Sequence, residues 1–128
     1  MKILFCGLKY EYGKPAAGLS FEYQNFYEVL RRMQGIECDL FALDEKILEA
    51  GRDVMNPLLI QTVEETKPDL LFCFLFTEEL EKETIEYITK KTRTKTFNWC
   101  ADDHWRFPIY SRFWAPLFTA VSTTDSKA

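Results

Sequence analysis

The segment from Asn98 to Trp114 (NWCADDHWRFPIYSRFW) holds the residues of this sequence that are best suited to chemistry. It contains all three tryptophans and the only histidine of the 128-residue chain. Two aspartates, Asp102 and Asp103, directly precede His104. Because imidazole titrates near neutral pH and a carboxylate can orient it, Asp103 and His104 are candidates for general acid–base catalysis.

Two other interpretations of these three residues compete with catalysis. A metal site would need three consecutive side chains on one side of the loop, whereas neighbours in extended backbone point to opposite faces, so no metal is expected. In the structural interpretation, Asp102 caps a short helix while His104 and Trp105 pack the loop. Spacing alone leaves catalysis and packing both open.

Aromatic residues accompany this segment and also have two interpretations. Core packing suits Trp99 and Trp114. An exposed tryptophan or tyrosine beside carboxylates would instead suit a sugar ring, whose C–H face stacks on aromatic surfaces. The mixture of aromatic and acidic residues is compatible with carbohydrate chemistry.

The loop from Gly7 to Gly18 is the second segment of interest. Its three glycines lack the G-x-G-x-x-G spacing of dinucleotide sites, and GK[ST] is absent. Gly18 and Ser20 stand at the start of a predicted helix, where free backbone N–H groups can bind a phosphate. The alternative is a surface loop that ends in a helix cap at Ser20.

Composition limits the class of protein. The chain has the length of one domain, and its hydrophobic fraction of 47% predicts a packed core. Net charge is −4 and no basic run is longer than the Lys90-Lys91 pair, so nucleic acid is not an expected partner. The apolar run from Leu70 to Phe76 is too short to span a bilayer, and MKILFCG is not a signal peptide. These features predict a cytoplasmic protein.

The four cysteines are far apart in the sequence. No CxxC or CxxH pair occurs, and each cysteine falls in, or directly after, a different predicted strand. We expect buried, reduced thiols. No cofactor is expected.

Strands alternate with helices along the chain, which predicts an α/β fold with a doubly wound, parallel, Rossmann-like sheet of about five strands in three layers. The predicted strands are Lys2 to Cys6, Ile36 to Leu43, Asp69 to Phe76, Thr94 to Trp99 and Thr119 to Thr123. Helices are predicted at Leu19 to Met33 with Ser20 as cap, in part of Asp44 to Met55, from Asn56-Pro57 to Thr66, and from Thr77 to Lys91.

Ligands of such sheets bind beyond the carboxyl ends of the strands. The loops after strands one and four, which hold Gly7 to Gly18 and Ala101 to Pro108, would meet there. A fifth strand normally leads into a covering helix, so we expect residues 1–128 to be the first domain of a longer protein.

The chain resembles the N-terminal half of CgeB-like glycosyltransferases, which have the GT-B fold of two facing Rossmann-like domains. The resemblance runs from Met1 to about Asp125 and rests on GLKYEYGKPAAGLSFEYQNFYEVL, GRDVMNPLL, KPDLLFCFLFTEEL and NWCADDHWRF, of which the last is the most specific. It implies transfer of a sugar from a nucleotide-sugar donor to an unidentified acceptor, without a bound metal. The donor would bind mainly to a C-terminal domain that these residues do not include.

The resemblance implies roles for the residues named above. Gly7 and the helix start at Gly18 and Ser20 would approach the donor phosphates across the cleft. The reaction centre would be lined by Asp102, Asp103, His104 and Arg106, with Trp105 or Tyr12 as a stacking surface. The rival interpretation is a free-standing, flavodoxin-like binding or interaction module without catalysis.

Overall fold

The computed structural model describes residues 1–124, which form one five-stranded sheet flanked by helices. All strand pairs are parallel, and the strand order is β2-β1-β3-β4-β5. The strands are β1 (Lys2–Gly7), β2 (Glu37–Ala42), β3 (Leu70–Cys73), β4 (Lys95–Cys100) and β5 (Ala120–Thr123). This confirms the predicted doubly wound, Rossmann-like α/β fold.

Helices cover both faces of the sheet and make three layers. One face carries α1 (residues 21–30, with a π-helical turn at Tyr23–Tyr27). The other carries α2 (Leu43–Ala50), α3 (Arg52–Thr66), α4 (Lys82–Lys91) and α5 (residues 103–114, with a π-helical turn at Phe107–Ser111). The order of strands reverses between β1 and β3, which is where such sheets bind ligands.

The main core lies under α3, α4 and α5. Alternate residues of β1 and β3, such as Leu4 and Leu71, meet Leu59, Ile85 and other fully buried apolar side chains there. Burial of this kind supplies most of the free energy of folding. On the opposite face α1 packs Phe26 against Phe72 and Trp99, while Trp99 itself stays only half-buried.

The predicted helix start at Asn56-Pro57 is wrong. Helix α3 begins at Arg52 and Pro57 lies inside it. Asn56 is 2% exposed and contacts the neighbouring helix instead. Its Oδ1 accepts hydrogen bonds from Glu81 N (2.8 Å) and Thr84 Oγ1 (2.8 Å) at the start of α4. A strong capping residue therefore caps a neighbouring helix rather than its own.

The predicted helix from Thr77 begins late. Helix α4 starts at Lys82, because the segment before it bends around the buried Glu79. The Glu79 carboxylate accepts hydrogen bonds from the backbone N–H groups of Phe76 and Thr77. These bonds satisfy backbone donors that a helix would have left free.

The four cysteines lie in β1 to β4 and are free thiols. Three are buried, as predicted, whereas Cys38 on the edge strand β2 is only half-buried. Burial raises the pKa of the Cys6 and Cys100 thiols, so both stay protonated at neutral pH. In the part of the chain that the structure describes, no helix combines the length and apolar character needed to cross a bilayer.

Candidate functional site

An open crevice of about 790 Å³ lies at the carboxyl edge of the sheet, beyond the ends of β1, β3 and β4. We call it the carboxyl-edge crevice. Its walls are Leu8, Glu11, Tyr12, Phe21, Glu22, Phe74, Phe76, Thr77, Trp99, Ala101, Asp102, His104, Trp105, Arg106, Ile109, Tyr110 and Thr124. The volume is that of a site for a small organic ligand.

Two crevice residues adopt a backbone conformation that is costly for a side chain. Tyr12 has φ 53° and Asp102 has φ 57°, both in the left-handed region. A bulky residue such as tyrosine rarely adopts it without a compensating role. The strained turn leaves Tyr12 65% exposed, and its ring forms a T-shaped pair with that of Phe76 at a centroid distance of 5.8 Å.

The two adjacent aspartates face different surroundings. Asp102 is exposed and lines the crevice. Asp103 is 1% exposed and lies behind the wall, where its two carboxylate oxygens accept hydrogen bonds from the hydroxyls of Ser111 and Thr123. Because both oxygens are engaged, the structure gives Asp103 the role of anchoring α5 to β5.

The three residues after Asp103 form one wall of the crevice. His104 and Trp105 are exposed to it, and Trp105 keeps 54% of its surface accessible. Arg106 donates to the carbonyl of Phe76 and lies 4.1 Å from the centroid of the Tyr110 ring. These contacts hold the guanidinium in place and use part of its capacity to bind an anion.

The three residues expected near donor phosphates do not line the crevice. Gly7 is buried, and a Cβ added to it would lie 3.0 Å from Phe5 Cε1 and 3.6 Å from Glu22 Cγ. Gly18 is exposed, with φ 85° that suits glycine in the turn. Ser20 is fully buried; its Oγ donates to Leu8 O (2.6 Å) and accepts from Tyr23 N (3.0 Å). The cap predicted at Ser20 is confirmed.

The start of α1 is already supplied with acceptors. Phe21 N donates to Glu11 Oε2 (3.3 Å), and Tyr23 N donates to the capping Ser20. Protein oxygens thus take the N–H groups that a phosphate would use, and one of them carries negative charge. The structure does not leave this helix start open to a phosphate.

Glu22 is the functional candidate that the sequence reasoning missed. It is 6% exposed and lines the crevice, and its carboxyl accepts a hydrogen bond from its own backbone N–H. Burial raises the pKa of this carboxyl from 4.5 to about 7, and the negative charges of Glu11, Glu79 and Asp44 add to the rise. At neutral pH the group exists in both protonation states, which suits proton transfer.

One signal in the sequence could have identified Glu22. Apolar residues at Tyr23, Phe26 and Leu30 mark the inward-facing stripe of α1, and Glu22 falls within that stripe, four residues before Phe26. A carboxylate on the apolar side of a helix must be paired, shifted in pKa or functional. Here it adjoins a crevice, which the sequence alone does not reveal.

Across residues 1–124 no group of three or more His, Cys, Asp and Glu side chains is arranged to hold a metal ion. Comparisons of the chain with family models, with curated proteins and with solved structures find no significant match.

Proposed function

We propose that this chain is the acceptor-side domain of a glycosyltransferase that uses a nucleotide-sugar donor. The carboxyl-edge crevice would be its acceptor site. One observation carries the proposal: the buried carboxyl of Glu22, with a pKa of about 7, opens into a crevice walled by exposed aromatic rings. A sugar acceptor needs both features, because its C–H face stacks on rings and its hydroxyl must lose a proton.

The proposed chemistry is a single displacement in which Glu22 takes the proton. As the acceptor oxygen forms its bond to the anomeric carbon, the bond from that carbon to the diphosphate oxygen breaks. The nucleoside diphosphate leaves with the electron pair, and Glu22 takes the acceptor proton. His104 is the second candidate for this proton, and its exposed position makes it the less favoured one.

The other crevice residues would hold the acceptor in place. Tyr12 and Trp105 present exposed rings for stacking, and Asp102 can accept hydrogen bonds from sugar hydroxyls. Asp103 would act by holding the wall that carries them, through Ser111 and Thr123. The resemblance to CgeB-like enzymes would place the donor on a second, C-terminal domain, and the reduced cysteines fit a cytoplasmic location.

The test is turnover by the protein encoded by the entire reading frame that contains this sequence. Release of nucleoside diphosphate is measured with a panel of nucleotide sugars and acceptors. We expect Glu22→Gln to lower kcat by about 10²- to 10⁴-fold, because amide cannot accept the proton. His104→Gln should lower it by less, and Glu37→Gln, the same charge change at the opposite edge of the sheet, should leave it unchanged.

A pH profile separates the two proton acceptors. If Glu22 is the base, the profile of kcat/KM should rise through about pH 7 in the parent and in His104→Gln, and lose that limb in Glu22→Gln. Full turnover by Glu22→Gln would refute the proposed mechanism. Absence of turnover with every donor would favour the binding-module interpretation.

A further inference from the structure

We propose that the carboxyl-edge crevice selects an acceptor that carries a positive charge beside a sugar-like ring, such as an amino sugar. This inference rests on the proposed function, in which the crevice is the acceptor site. In it, the amino group is bound by carboxylates, and a hydroxyl of the same ligand is the group that reacts.

The charges around the crevice favour a cation. Glu11, Glu22 and Asp102 line it directly. Three carboxylates act on Glu22 from three parts of the fold: Glu11 from the loop after β1, Glu79 from the segment after β3, and Asp44 from α2. A ligand cation among these groups gains their attraction and relieves their mutual repulsion.

Two of the basic side chains in or near the crevice wall already contact groups of the protein. Arg106 is held by the Phe76 carbonyl and the face of Tyr110. His104, on the same wall, is exposed. Lys9, near the loop after β1, is paired with Glu45 at 3.1 Å. The crevice therefore favours a cationic ligand and opposes a diphosphate.

Aromatic rings supply a second attraction for a cation. Tyr12, Phe21, Phe76 and Trp105 each keep more than two-fifths of their surface exposed in the crevice. A cation within about 6 Å of such a ring face gains on the order of 0.5–2 kcal/mol. Tyr12 is presented by strained backbone, which indicates that its position matters.

A bound cation would also change the protonation of Glu22. Positive charge near a carboxyl favours its ionised form, so binding should release the proton that the unliganded site holds near pH 7. The ionised carboxylate is the form that can accept the proton of an acceptor hydroxyl. Recognition of the amine would thus prepare the base.

The first experiment compares two ligands that differ in one group. Binding of D-glucosamine and D-glucose is measured at pH 7 by tryptophan fluorescence and by calorimetry. We expect glucosamine to bind about tenfold more tightly, which equals about 1.4 kcal/mol. Glu22→Gln should reduce the preference to about threefold or less, whereas Glu37→Gln should retain it.

The second experiment assigns the pH dependence to the protein. Choline keeps its charge at every pH, and 3,3-dimethylbutan-1-ol is its neutral isostere. Choline binding should strengthen as pH rises from 6 to 8 and as Glu22 ionises, while binding of the isostere should stay flat. The slope should disappear in Glu22→Gln and persist in His104→Gln.

The outcomes separate this inference from the proposed function. Equal or tighter binding of glucose, or no binding of either sugar, would overturn the cation preference and leave sugar transfer to be judged by turnover. A cation preference that depends on Glu22, in a protein that turns over no nucleotide sugar, would support the inference about the ligand and refute the transferase. Retention of the preference in Glu22→Gln would overturn the role of Glu22.

Discussion

Cavities of similar size lie at the two ends of the sheet, and they differ in the burial of their carboxylates. The carboxyl-edge crevice measures about 790 Å³, and a groove at the amino edge, beside the starts of β3 and β4, measures about 870 Å³. We call the second the amino-edge groove. Its walls are Met1, Val63, Glu64, Lys67, Pro68, Asp69, Tyr87, Lys91, Thr92, Arg93, Thr94 and Lys95.

The carboxylates of the amino-edge groove are exposed and have protein donors. Glu64 Oε1 accepts a hydrogen bond from the Tyr87 hydroxyl (3.0 Å), and Asp69 Oδ2 accepts one from Lys2 N (2.8 Å). Lys91 and the other cations of the groove are exposed to water. In the carboxyl-edge crevice, by contrast, Glu22 is buried and its carboxyl faces the cavity. The two cavities therefore differ little in volume. They differ in whether a carboxylate on the wall is buried or exposed.

The largest expected difference concerns two aspartates, one near each cavity. Asp103→Ala should lower the free energy of unfolding by about 3 kcal/mol, because it leaves the buried Ser111 hydroxyl without its acceptor. Asp69→Ala, which loses one exposed hydrogen bond, should cost about 1 kcal/mol. Urea denaturation measures both. Equal losses would show that the crevice wall is no better anchored than the groove.

The second difference is in the pH dependence of stability. The folded-state pKa of Glu22 is raised from 4.5 to about 7, so the folded protein holds a proton that the unfolded chain has released, and stability falls as pH rises across that window. Glu22→Gln, which stays neutral, should match the parent near pH 4 and exceed it by about 3 kcal/mol at pH 8.

The matched variant for this prediction is Glu64→Gln at the amino-edge groove. Its free energy of unfolding should differ from the parent by no more than about 0.5 kcal/mol at both pH values, because the side chain is exposed. A parent-like pH profile of stability in Glu22→Gln would mean that Glu22 is not the group that titrates near neutral pH.

The smallest expected effect belongs to the cations of the groove. Lys91→Ala should change the free energy of unfolding by less than about 0.5 kcal/mol and leave glucosamine binding as it is, since the ammonium is exposed to water. Thermal denaturation and the fluorescence titration measure the two quantities. A loss of binding would place the ligand at the wrong edge of the sheet and remove the contrast between the two cavities.

The sequence predicted the sheet because strand signals depend on local pattern. The apolar run of β1 is buried on both faces, and β3 is buried on one face and half-buried on the other; an uninterrupted apolar segment is typical of such strands. Asn56 misled the helix prediction because its partners, Glu81 and Thr84, are far along the chain. Capping strength can be judged from the sequence, but the identity of the capped helix depends on tertiary packing.

The site was predicted only in part, for a related reason. Sequence reasoning found the segment that forms one wall, and Asp102, His104, Trp105 and Arg106 do line the crevice. It could not assign opposite surroundings to Asp102 and Asp103, because that depends on where Ser111 and Thr123 lie. It missed Glu22 because burial of a charge beside a cavity depends on elements that meet only in the folded chain.

The close packing around Gly7 has a consequence for how this site can be inherited. A side chain at this position would meet the ring of Phe5, which in turn contacts Tyr27 of α1 at a centroid distance of 6.2 Å. The Phe5 ring, which packs against the helix that carries Glu22, would have to shift by a few tenths of an ångström. In a lineage that retains the carboxylate at position 22, we therefore expect positions 5 and 7 to change together or not at all. Retention of glycine at position 7, which does not line the crevice, would then indicate in descendant sequences that the crevice is retained.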